Sequence, residues 1–412
     1  GTIRNPATGA VAGEVRWTDP ADVAHIAAGL RAAQTEWAAR GAKGRAKVLA
    51  RYAVWLGEHR DEIERLLIAE TGKSAVDASQ EVPLIIMIAS YYIKTMEQAL
   101  APETRPAALP FMAIKKIAVH YRPRPVVGII APWNYPVANA LMDAIGALAA
   151  GCAVLLKPSE RTPLTAELLL RGWLESGAPE VLALAQGARE VAEAVIDASD
   201  FIQFTGSSAT GAKVMERAAR RLTPVSLELG GKGANVVFAD ADLHTAVEWS
   251  VKAIFTNTGQ VCLAGSRLYV QRDIYDEFLR RFTQAAQAMV IGDPKQETTQ
   301  IGPLASQEHY RKVRGYVETI ESEGGSIVTG GLGEGWGVLP TVVTGLGQQA
   351  RCSREEIFGP VAVVIPFDTE AEAIRLANDT RYGLNAMLFT ENLHRAHRVS
   401  AALRAGTVWV NC

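Results

Sequence analysis

The chain has few cysteines and no pattern that would form a disulfide framework or bind a metal. Its 412 residues include four cysteines and seven histidines, and no two cysteines form a CxxC pair. A disulfide scaffold needs several cysteines in close pairs, and a zinc site needs closely spaced ligands. The sequence therefore predicts a reducing compartment, and we expect a cytoplasmic protein without a metal.

The chain also lacks an excess of one charge and a long unbroken apolar run. Lys and Arg number 42 against 44 Asp and Glu, a formal net charge of -2, which disfavours nucleic acids and anionic membranes as partners. Prolines and asparagines interrupt the uncharged stretch 125–142, unlike the roughly 20 apolar residues of a membrane span. We expect a two-domain globular protein that binds small molecules.

Short apolar runs alternate with helical patterns over much of the chain. The runs VVGIIAP, AVLLKP and FIQFTG are each followed by a helical pattern, and ANVVFAD, VAVVIPF and TVWVN continue the series. Strands that are apolar on both faces and joined by helices are typical of a parallel sheet. The sequence therefore predicts an α/β fold with two doubly wound parallel-sheet domains. Residues 110–121 are rich in β-branched and aromatic residues and favour one or two further strands.

The segment NTGQVCLAGSR, residues 257–267, places Cys262 after a glycine-containing turn that follows a predicted helix. A cysteine on an exposed turn beside backbone N–H groups can be stabilised as a thiolate, the form that acts as a nucleophile. Most cysteines are instead small buried residues, the better interpretation for Cys152 in the run GCAVLL. From its own turn, Cys262 is only a candidate nucleophile.

Two other segments contain candidate catalytic side chains. In SLELGGKG, Glu228 lies between two leucines, and an apolar setting would raise the pKa of its carboxyl toward the range of a general base. A strand-end Glu that points to solvent is an equally good interpretation. In GIIAPWNYP, the amide of Asn134 could donate to a developing oxyanion, although an ordinary turn asparagine is commoner.

Two strand ends carry residues that suit a nucleotide. FTGSSATG places Gly206 and Gly211 at a strand-to-helix junction, where backbone N–H groups favour a pyrophosphate, although the segment is not GxGxxG. LLKPSE ends a strand with Lys157 and Glu160, which could bind ribose hydroxyls. A carboxylate there repels a 2'-phosphate and favours NAD over NADP. A solvated charge pair is the alternative interpretation of these two residues.

Together and in this order, these segments resemble the aldehyde dehydrogenase superfamily, as does EEIFGPV at residues 355–361. The 34-residue separation of Glu228 from Cys262 is also similar to that family's spacing. The resemblance extends from about Asn5 to Cys412. It implies an oxidoreductase that converts an aldehyde to a carboxylic acid with NAD, or alternatively NADP.

The resemblance also implies a role for each matching residue. Cys262 would be the nucleophile that forms a thiohemiacetal and then a thioester, Asn134 the oxyanion donor, and Glu228 the base that activates the deacylating water. The residues that it places around the cofactor are Ile130, Ala131, Pro132, Trp133, Lys157, Ser159, Glu160, Gly206, Ser207, Gly211, Leu229, Glu356 and Phe358.

The implied domain organisation has three parts. Residues 1–104 and 124–229 would form a Rossmann-like NAD-binding domain, and residues 230–412 a catalytic domain. Residues 105–123 resemble the small strands that bridge subunits, and because such strands would be exposed in a monomer, we expect a homodimer or homotetramer. In the family a further oligomerisation strand follows TVWVNC, so this C-terminal tail is expected to be missing here.

Departures from the family pattern bear on the substrate. Met142 and Asp143 lie where several relatives have Trp-Lys, and where enzymes similar to succinic semialdehyde dehydrogenases have an Arg for the substrate carboxylate. Anionic semialdehydes and quaternary ammonium aldehydes are therefore disfavoured. Val261 and Leu263 flank Cys262 and favour an apolar aliphatic or aromatic aldehyde. Two alternatives stay open, a CoA-acylating dehydrogenase, against which Glu228 argues, and a catalytically silent paralogue.

Overall fold

The computed structural model describes residues 1–112 and 114–412. The α-helices are α1 (Val23–Ala39), α2 (Gly41–Glu58), α3 (Arg60–Thr71), α4 (Ala75–Ala78), α5 (Glu81–Ala99), α6 (Pro136–Ala150), α7 (Pro163–Glu175), α8 (Arg189–Ala198), α9 (Ser208–Ala219), α10 (Leu243–Phe255), α11 (Tyr275–Gln287), α12 (Gln307–Val317), α13 (Arg351–Arg354), α14 (Glu370–Asn378) and α15 (Leu393–Ala402). None of these helices combines the length and the apolar composition that a membrane span requires.

The strands are β1 (Thr2–Arg4), β2 (Val11–Glu14), β3 (Glu103–Arg105), β4 (Ile117–Val119), β5 (Val126–Ile130), β6 (Ala153–Lys157), β7 (Leu182–Leu184), β8 (Phe201–Thr205), β9 (Val225–Glu228), β10 (Ala234–Val237), β11 (Arg267–Gln271), β12 (Ser326–Leu332), β13 (Val338–Thr344), β14 (Val361–Phe367), β15 (Asn385–Phe389) and β16 (Thr407–Val410). The chain divides into two compact units. The first contains Gly1–Ile3, Gly13–Leu66 and Ser79–Glu228, and the second contains Arg4–Ala12, Leu67–Ala78 and Leu229–Cys412.

The first unit is built on a five-stranded parallel sheet in the order β7-β6-β5-β8-β9. Every residue of β5 and β6 is buried, which explains their continuous apolar sequences. The chain winds outward from β5 to β7 and then returns to place β8 on the other side of β5. Ligands of such sheets bind outside the carboxyl ends of the strands at this switch in direction.

Helix α6 connects β5 to β6, and its ends follow ordinary capping rules. Pro136 occupies the first helical position, where the missing N–H group has no intrahelical partner to lose. The helix ends at Gly151, which has a left-handed φ of 95° that favours glycine. The carboxylate of Glu81 on α5 accepts hydrogen bonds from the amides of Val137 at 2.9 Å and Ala138 at 3.0 Å. Helix α5 therefore fixes the beginning of α6.

The second unit is built on a seven-stranded sheet in the order β12-β13-β14-β11-β10-β15-β16. β12 is antiparallel to β13, and the remaining neighbours are parallel. Alternate residues of the central strands enter two separate hydrophobic clusters, with Val236 and Tyr269 in one and Val237 and Val270 in the other. The prediction of an α/β fold with two parallel-sheet domains is confirmed, with one antiparallel edge strand in the second.

The short strands β3 and β4 pair antiparallel, with Thr104 opposite Ala118. Among the described residues of the stretch 110–121, only Ile117–Val119 is a strand, and Pro110–Met112 forms a 3-10 turn. Ala113 lies outside the described residues. Large apolar side chains in this region are exposed, including Phe111 and Ile114.

The predicted first domain is not continuous from its start, since Arg4–Ala12 and Leu67–Ala78 belong to the second unit. Packing explains the second of these segments. A methyl group built on Gly302 would lie 2.3 Å from the carbonyl oxygen of Gly72, so the two backbones are in close contact. The amide of Ala75 also donates to the carbonyl of Pro294 at 2.8 Å. Both contacts join residues more than 200 positions apart, which local patterns do not reveal.

Candidate active site

The first unit gathers several of the predicted site residues at one edge of its sheet. Strand pairing places Ile130 beside Lys157 and Phe204, and Thr205 beside Glu228. Because parallel strands share the direction of their carboxyl ends, the segments that follow these four strands meet at one edge. Those segments are Ala131–Asn134, Pro158–Glu160 and Gly206–Ser207, and Glu228 ends the fourth strand.

Asn134 lies just before α6 and is 5% exposed. The side chain of Asn139, in the first turns of α6, donates to Oδ1 of Asn134 at 3.3 Å. This bond uses the acceptor end of the Asn134 amide and orients Nδ2 as the donor end. Residues Ala131 and Ile130 behind it are buried, and the Ala131 amide donates to the carbonyl of Lys157 at 3.0 Å. The segment before α6 is thus fixed by backbone and side-chain bonds.

Lys157, the last residue of β6, forms an ion pair with Glu160, with 3.4 Å between Nζ and Oε2. Lys157 is 5% exposed, whereas Glu160 is exposed. Burial lowers the pKa of Lys157, and the charge and hydrogen bond of Glu160 oppose that shift. Between them, Oγ of Ser159 accepts the amide of Arg161 at 3.2 Å. The Arg161 guanidinium lies 5.5 Å from the ring centroid of half-buried Trp133, which follows half-buried Pro132.

Gly206 and Ser207 connect β8 to α9. A methyl group on Gly206 would lie 2.6 Å from the Phe204 ring, so a larger residue would force that ring to move. Ser207 caps α9 by accepting the amide of Thr210 at 3.2 Å. Gly211 lies one turn inside α9, and its amide donates to the carbonyl of Ser207 at 2.9 Å. The helix therefore already uses the Gly211 N–H, and a part for Gly211 in cofactor binding stays a prediction.

Glu228 ends β9 with an exposed side chain. Of the two interpretations of Glu228, the structure supports the solvent-facing strand end, because successive side chains of a strand point to opposite faces and its leucine neighbours do not enclose it. Its backbone carbonyl accepts the Gly206 amide at 2.9 Å, which joins the ends of β8 and β9. Leu229, the next residue, begins the last segment of the second unit and is half-buried.

In the second unit, the turn that precedes Cys262 has an unusual backbone. Asn257, Thr258 and Gly259 have φ values of 52°, 55° and 70°. Asparagine adopts this left-handed region more readily than most residues, but a β-branched threonine rarely does. Gly259 adopts this region readily, but Asn257 and Thr258 cost free energy that the surrounding structure must offset. Backbone strain of this kind is concentrated at functional sites.

Hydrogen bonds hold that strained turn. Nε2 of Gln260 donates to the carbonyl of Asn257 at 3.1 Å, and Oε1 of Gln260 accepts the Ala305 amide at 3.0 Å. Oγ1 of Thr258 bonds the Gly302 backbone at 3.3 Å. Thr258, Gly259 and Gln260 are all buried. The conformation that leads into Cys262 is therefore fixed by buried bonds to a loop more than 40 residues later.

Cys262 itself is half-buried and lies in a turn. A methyl group on Gly231 would lie 2.5 Å from the Cys262 carbonyl oxygen, so the GG segment packs directly on the cysteine backbone. The Gly231 amide donates to Oε1 of Glu356 at 3.0 Å. Burial raises the pKa of the Glu356 carboxyl, and this hydrogen bond opposes the shift. Nδ2 of Asn385 donates to the carbonyl of Leu263 at 2.8 Å.

Phe358 is a second strained position in this unit, with a left-handed φ of 62°. Its carbonyl lies 2.7 Å from Nε2 of His309, and the two rings meet edge to face with centroids 5.8 Å apart. His309 is 6% exposed. The structure thus brings Glu356 near Gly231 and fixes Phe358 through His309.

The other cysteines are less suited to nucleophilic chemistry. Cys152 and Cys352 are buried, and burial raises the pKa of both thiols, that of Cys352 to about 11. A thiol with a raised pKa is protonated at neutral pH and reacts slowly. Cys412 is exposed and follows β16, outside the turn described above. The described residues contain no group of three or more His, Cys, Asp and Glu that could bind a metal.

Sequence reasoning missed several residues that fix the site. These residues are Glu81, Asn257, Thr258, His309 and Asn385. Asn257 and Thr258 belong to the quoted NTGQVC segment, and two polar residues before a glycine are the local signal that could have suggested a left-handed turn. His309 and Asn385 act through contacts with residues 49 and 122 positions away, for which a single sequence gives no signal.

Residues 2–412 match the model of the aldehyde dehydrogenase family. The chain belongs to the aldehyde dehydrogenase family. An aldehyde dehydrogenase is therefore confirmed as the family, and an NAD(P)-dependent oxidoreductase as the class of enzyme. The comparisons do not assign catalytic roles to individual residues, so those roles stay predictions.

Named relatives and solved structures agree with this assignment. Aminoaldehyde dehydrogenase 2, peroxisomal, from Pisum sativum is 39% identical over 100% of this chain and 84% of its own length. Betaine aldehyde dehydrogenase, chloroplastic, from Amaranthus hypochondriacus is 38% identical over the same shares. The crystal structure of PnpE in complex with nicotinamide adenine dinucleotide superposes with a TM-score of 0.96 at 34% identity, covering 100% of this chain and 86% of PnpE.

These names overturn one prediction. The expected cytoplasmic location is contradicted, because the pea relative is named peroxisomal and the amaranth relative chloroplastic. A low cysteine count indicates a reducing environment, and that property does not distinguish one such compartment from another.

Proposed function

We propose that the aldehyde dehydrogenase described here oxidises an aldehyde through a covalent thioester on Cys262 and releases the carboxylic acid with water. The observation that supports this most directly is the strained turn before half-buried Cys262, which buried hydrogen bonds hold in one conformation. A strained backbone conformation persists only where surrounding contacts hold it in place. A nucleophile that is already fixed in one orientation loses little entropy on reaction. The resemblance supplies the roles of the remaining residues.

Acylation begins when the thiolate of Cys262 attacks the aldehyde carbon. Two donors are proposed for the resulting oxyanion, the backbone N–H of Cys262 and Nδ2 of Asn134. The bond from Asn139 supports the second, because it leaves Nδ2 as the donor end of the amide. When bound, the nicotinamide cofactor supplies the hydride acceptor that converts the thiohemiacetal to a thioester.

Deacylation needs a base that can bind and deprotonate a water molecule. Glu228 is the proposed base, and its exposed carboxyl at the end of β9 can be reached by water. The proton leaves water as its oxygen adds to the thioester carbonyl. The carbon–sulfur bond then breaks and Cys262 is restored as a thiolate.

The residues of the first unit fit a dinucleotide. A side chain at Gly206 would clash with the Phe204 ring, so the backbone is bare at this position. The capped N-terminus of α9 follows it. Exposed backbone amides and a helix N-terminus together suit a pyrophosphate. Lys157 ends β6 and Glu160 follows it at the same edge, and these two residues suit ribose hydroxyls. The carboxylate of Glu160 would lie unfavourably beside a 2'-phosphate, so we expect a preference for NAD over NADP. In the second unit, Glu356 and Phe358 are the proposed residues for the nicotinamide end.

The proposed substrate is an apolar aliphatic or aromatic aldehyde. Val261 and Leu263 are half-buried on either side of Cys262, and Met142 on α6 is 40% exposed. Apolar side chains that are partly accessible suit an apolar ligand. The pea and amaranth relatives are named for aminoaldehydes and betaine aldehyde, so these polar compounds are the competitors that a substrate test must include.

The proposed assembly is a homodimer or homotetramer through residues 105–123. Strands β3 and β4 form a sheet of only two strands, and Phe111, Ile114 and Tyr121 are exposed around it. A two-stranded sheet with exposed apolar side chains is unfavourable in a monomer. Sedimentation should therefore give a mass of two or four chains at micromolar concentration, and a monomer would contradict the proposal.

The proposed reaction is tested by the absorbance of reduced cofactor with a panel of aldehydes. The panel should contain apolar, amino and quaternary ammonium aldehydes, each with NAD and with NADP and with or without CoA. We expect turnover without CoA, higher kcat/KM with NAD, and the best values with apolar aldehydes. Strict dependence on CoA would establish the acylating alternative, and inactivity with every combination would support the silent paralogue.

A further inference from the structure

Helix α12 begins beside the strained turn of the second unit. Ser306 caps this helix by accepting the amide of His309 at 3.1 Å, which places His309 in the first helical turn. Ala305, the residue before the cap, donates its amide to Oε1 of Gln260 at 3.0 Å. The start of α12 is thus joined to the turn that precedes Cys262.

The side chain of His309 holds the other strained position. Its Nε2 lies 2.7 Å from the carbonyl oxygen of Phe358, and the two rings meet edge to face with centroids 5.8 Å apart. A backbone carbonyl can only accept a hydrogen bond, so Nε2 carries a hydrogen and donates it. Because His309 is buried, water has little access to replace this donor.

Phe358 needs outside support because its backbone conformation is unfavourable. Its φ of 62° lies in the left-handed region, which bulky residues rarely adopt. Such a conformation persists only where surrounding contacts hold it. The hydrogen bond and the ring contact from His309 both act on this one residue. Loss of the His309 side chain would therefore favour a change in the Phe358 backbone.

The next turn of α12 holds the residue after Phe358. Val313 lies four residues beyond His309, on the same side of the helix, and is fully buried. A methyl group built on Gly359 would lie 2.8 Å from Cγ1 of Val313, so the Gly359 backbone packs directly on this side chain. Residues 358 and 359 therefore rest on consecutive turns of one helix.

Gly359 also packs against the turn before Cys262. A methyl group built on Gly259 would lie 2.2 Å from the carbonyl carbon of Gly359, so the two backbones are in contact. A movement of Phe358 that displaced Gly359 would therefore displace this turn as well. The turn contacts both the loop before α12 and the residues that α12 holds.

We infer that His309 is a positioning residue that sets the conformation of Phe358 at the nicotinamide end and, through Gly359, the position of the Cys262 turn. This inference rests on the proposed function, which gives Phe358 and Cys262 their roles. In this role His309 transfers no proton. Its effect on rate comes from alignment, since a displacement of about 1 Å can cost roughly 10²-fold.

The test compares two substitutions of similar size. His309→Gln keeps an N–H donor for the Phe358 carbonyl, whereas His309→Met has an unbranched side chain of similar length and no donor. In steady-state kinetics with NAD and an aldehyde, the Met variant should raise the KM for NAD and lower kcat, each by about three- to ten-fold, the usual effect of one lost hydrogen bond. The Gln variant should recover most of both losses.

The matched control is His397→Met, at an exposed position of α15, which should have the kinetics of wild type. A purely structural bond would lower the Tm of His309→Met and leave the KM for NAD and kcat unchanged. That result would overturn the inference. So would equal values for the Met and Gln variants, or a change in only one of the two parameters.

A second variant serves if His309→Met does not fold. Val313→Ala removes the packing against Gly359 and keeps the His309 bond, so kcat should fall while the Gln variant of His309 stays close to wild type. An unchanged kcat in Val313→Ala would overturn the inference.

Binding of NAD without an aldehyde separates this inference from the proposed function. Calorimetry should give His309→Met a Kd for NAD about three- to ten-fold above that of wild type. If wild type binds NAD and oxidises an aldehyde but the Met variant matches it in every measurement, the inference is wrong. If wild type neither binds NAD nor reduces it with any aldehyde, the proposed function is what fails.

Discussion

At the scale of single residues, glycines decide how closely the backbone approaches Cys262. Gly259 has a left-handed φ of 70°, and a methyl group on it would lie 2.2 Å from the carbonyl carbon of Gly359. Gly231 packs in the same way on the carbonyl of Cys262 itself. Close contact therefore requires glycine at both positions, and at Gly259 the left-handed backbone requires it as well.

The first prediction concerns Gly259→Ala. The added methyl overlaps backbone atoms that cannot rotate away, so the turn before Cys262 must shift, and we expect a loss of more than about 1 kcal/mol in the free energy of unfolding. Denaturant unfolding measures this loss, and kcat should fall with it. The control is Gly29→Ala, at an exposed position of α1 with open space around it, which should gain up to about 1 kcal/mol. Equal effects of the two substitutions would contradict this account.

Lys232 is a buried cation of the second unit without a hydrogen-bond partner for Nζ among the described residues. It is 3% exposed, and burial lowers its pKa to about 7, with the positive charges of Arg267 and Lys312 adding to the shift and Cys352 and Glu356 opposing it. The unfolded chain therefore holds more protons than the folded chain between about pH 7 and pH 10.5, and stability rises with pH across that window.

The second prediction follows from this buried amine. Lys232→Met keeps most of the apolar stem and removes the charge, so its Tm should exceed that of wild type at pH 7, and the difference should shrink by pH 9.5. Calorimetry at the two pH values measures both. Lys213→Met at an exposed position of α9 serves as the control and should change little. A variant that is less stable than wild type at pH 7 would show that the ammonium group stabilises the fold.

At the scale of helices and strands, α6 carries the largest share of the first unit's site. It follows Asn134 directly in the chain, and its Asn139 donates to Asn134. Its first amides donate to the Glu81 carboxylate. Glu81 is 1% exposed, so those amides have no access to water as a substitute partner. The position of the oxyanion donor therefore depends on a side chain of α5.

The third prediction is that Glu81→Ala lowers the free energy of unfolding by about 2–3 kcal/mol, because two buried amides lose a charged acceptor. Glu81→Gln keeps one acceptor oxygen and should lose less. Urea unfolding of both variants gives the comparison, with Glu97→Ala on the exposed side of the same helix as control. If Ala and Gln variants match wild type, the described bonds do not stabilise the start of α6.

The elements also show what a single sequence can predict. Apolar runs such as VVGII and AVLLK identify buried parallel strands because both faces are covered, and the polar segments that follow them mark the site edge. Burial of an individual side chain is harder to predict. For Glu228 the sequence left an apolar setting and a solvent-facing strand end equally open, and only the structure shows that strand alternation leaves the side chain exposed. Contacts such as that of His309 with Phe358 depend on tertiary packing and have no local signal.

At the scale of the whole molecule, each unit contains some of the residues to which the resemblance assigns a role. Asn134 and Glu228 belong to the first unit, and Cys262 and Glu356 belong to the second. Recognition of the family needed no tertiary information, because several short motifs agree in order along the chain. Assignment of Leu67–Ala78 to the second unit did need it, since this segment is fixed by contacts with residues near 294 and 302.

The central claim is that turnover passes through an acyl group on Cys262. The most direct test is the mass of the Cys262 peptide from protein quenched during turnover with NAD and an aldehyde. We predict that this peptide gains the mass of the acyl group, and that Cys262→Ala shows neither adduct nor turnover while still binding NAD. An acyl group on another cysteine, or normal turnover by Cys262→Ala, would contradict the account.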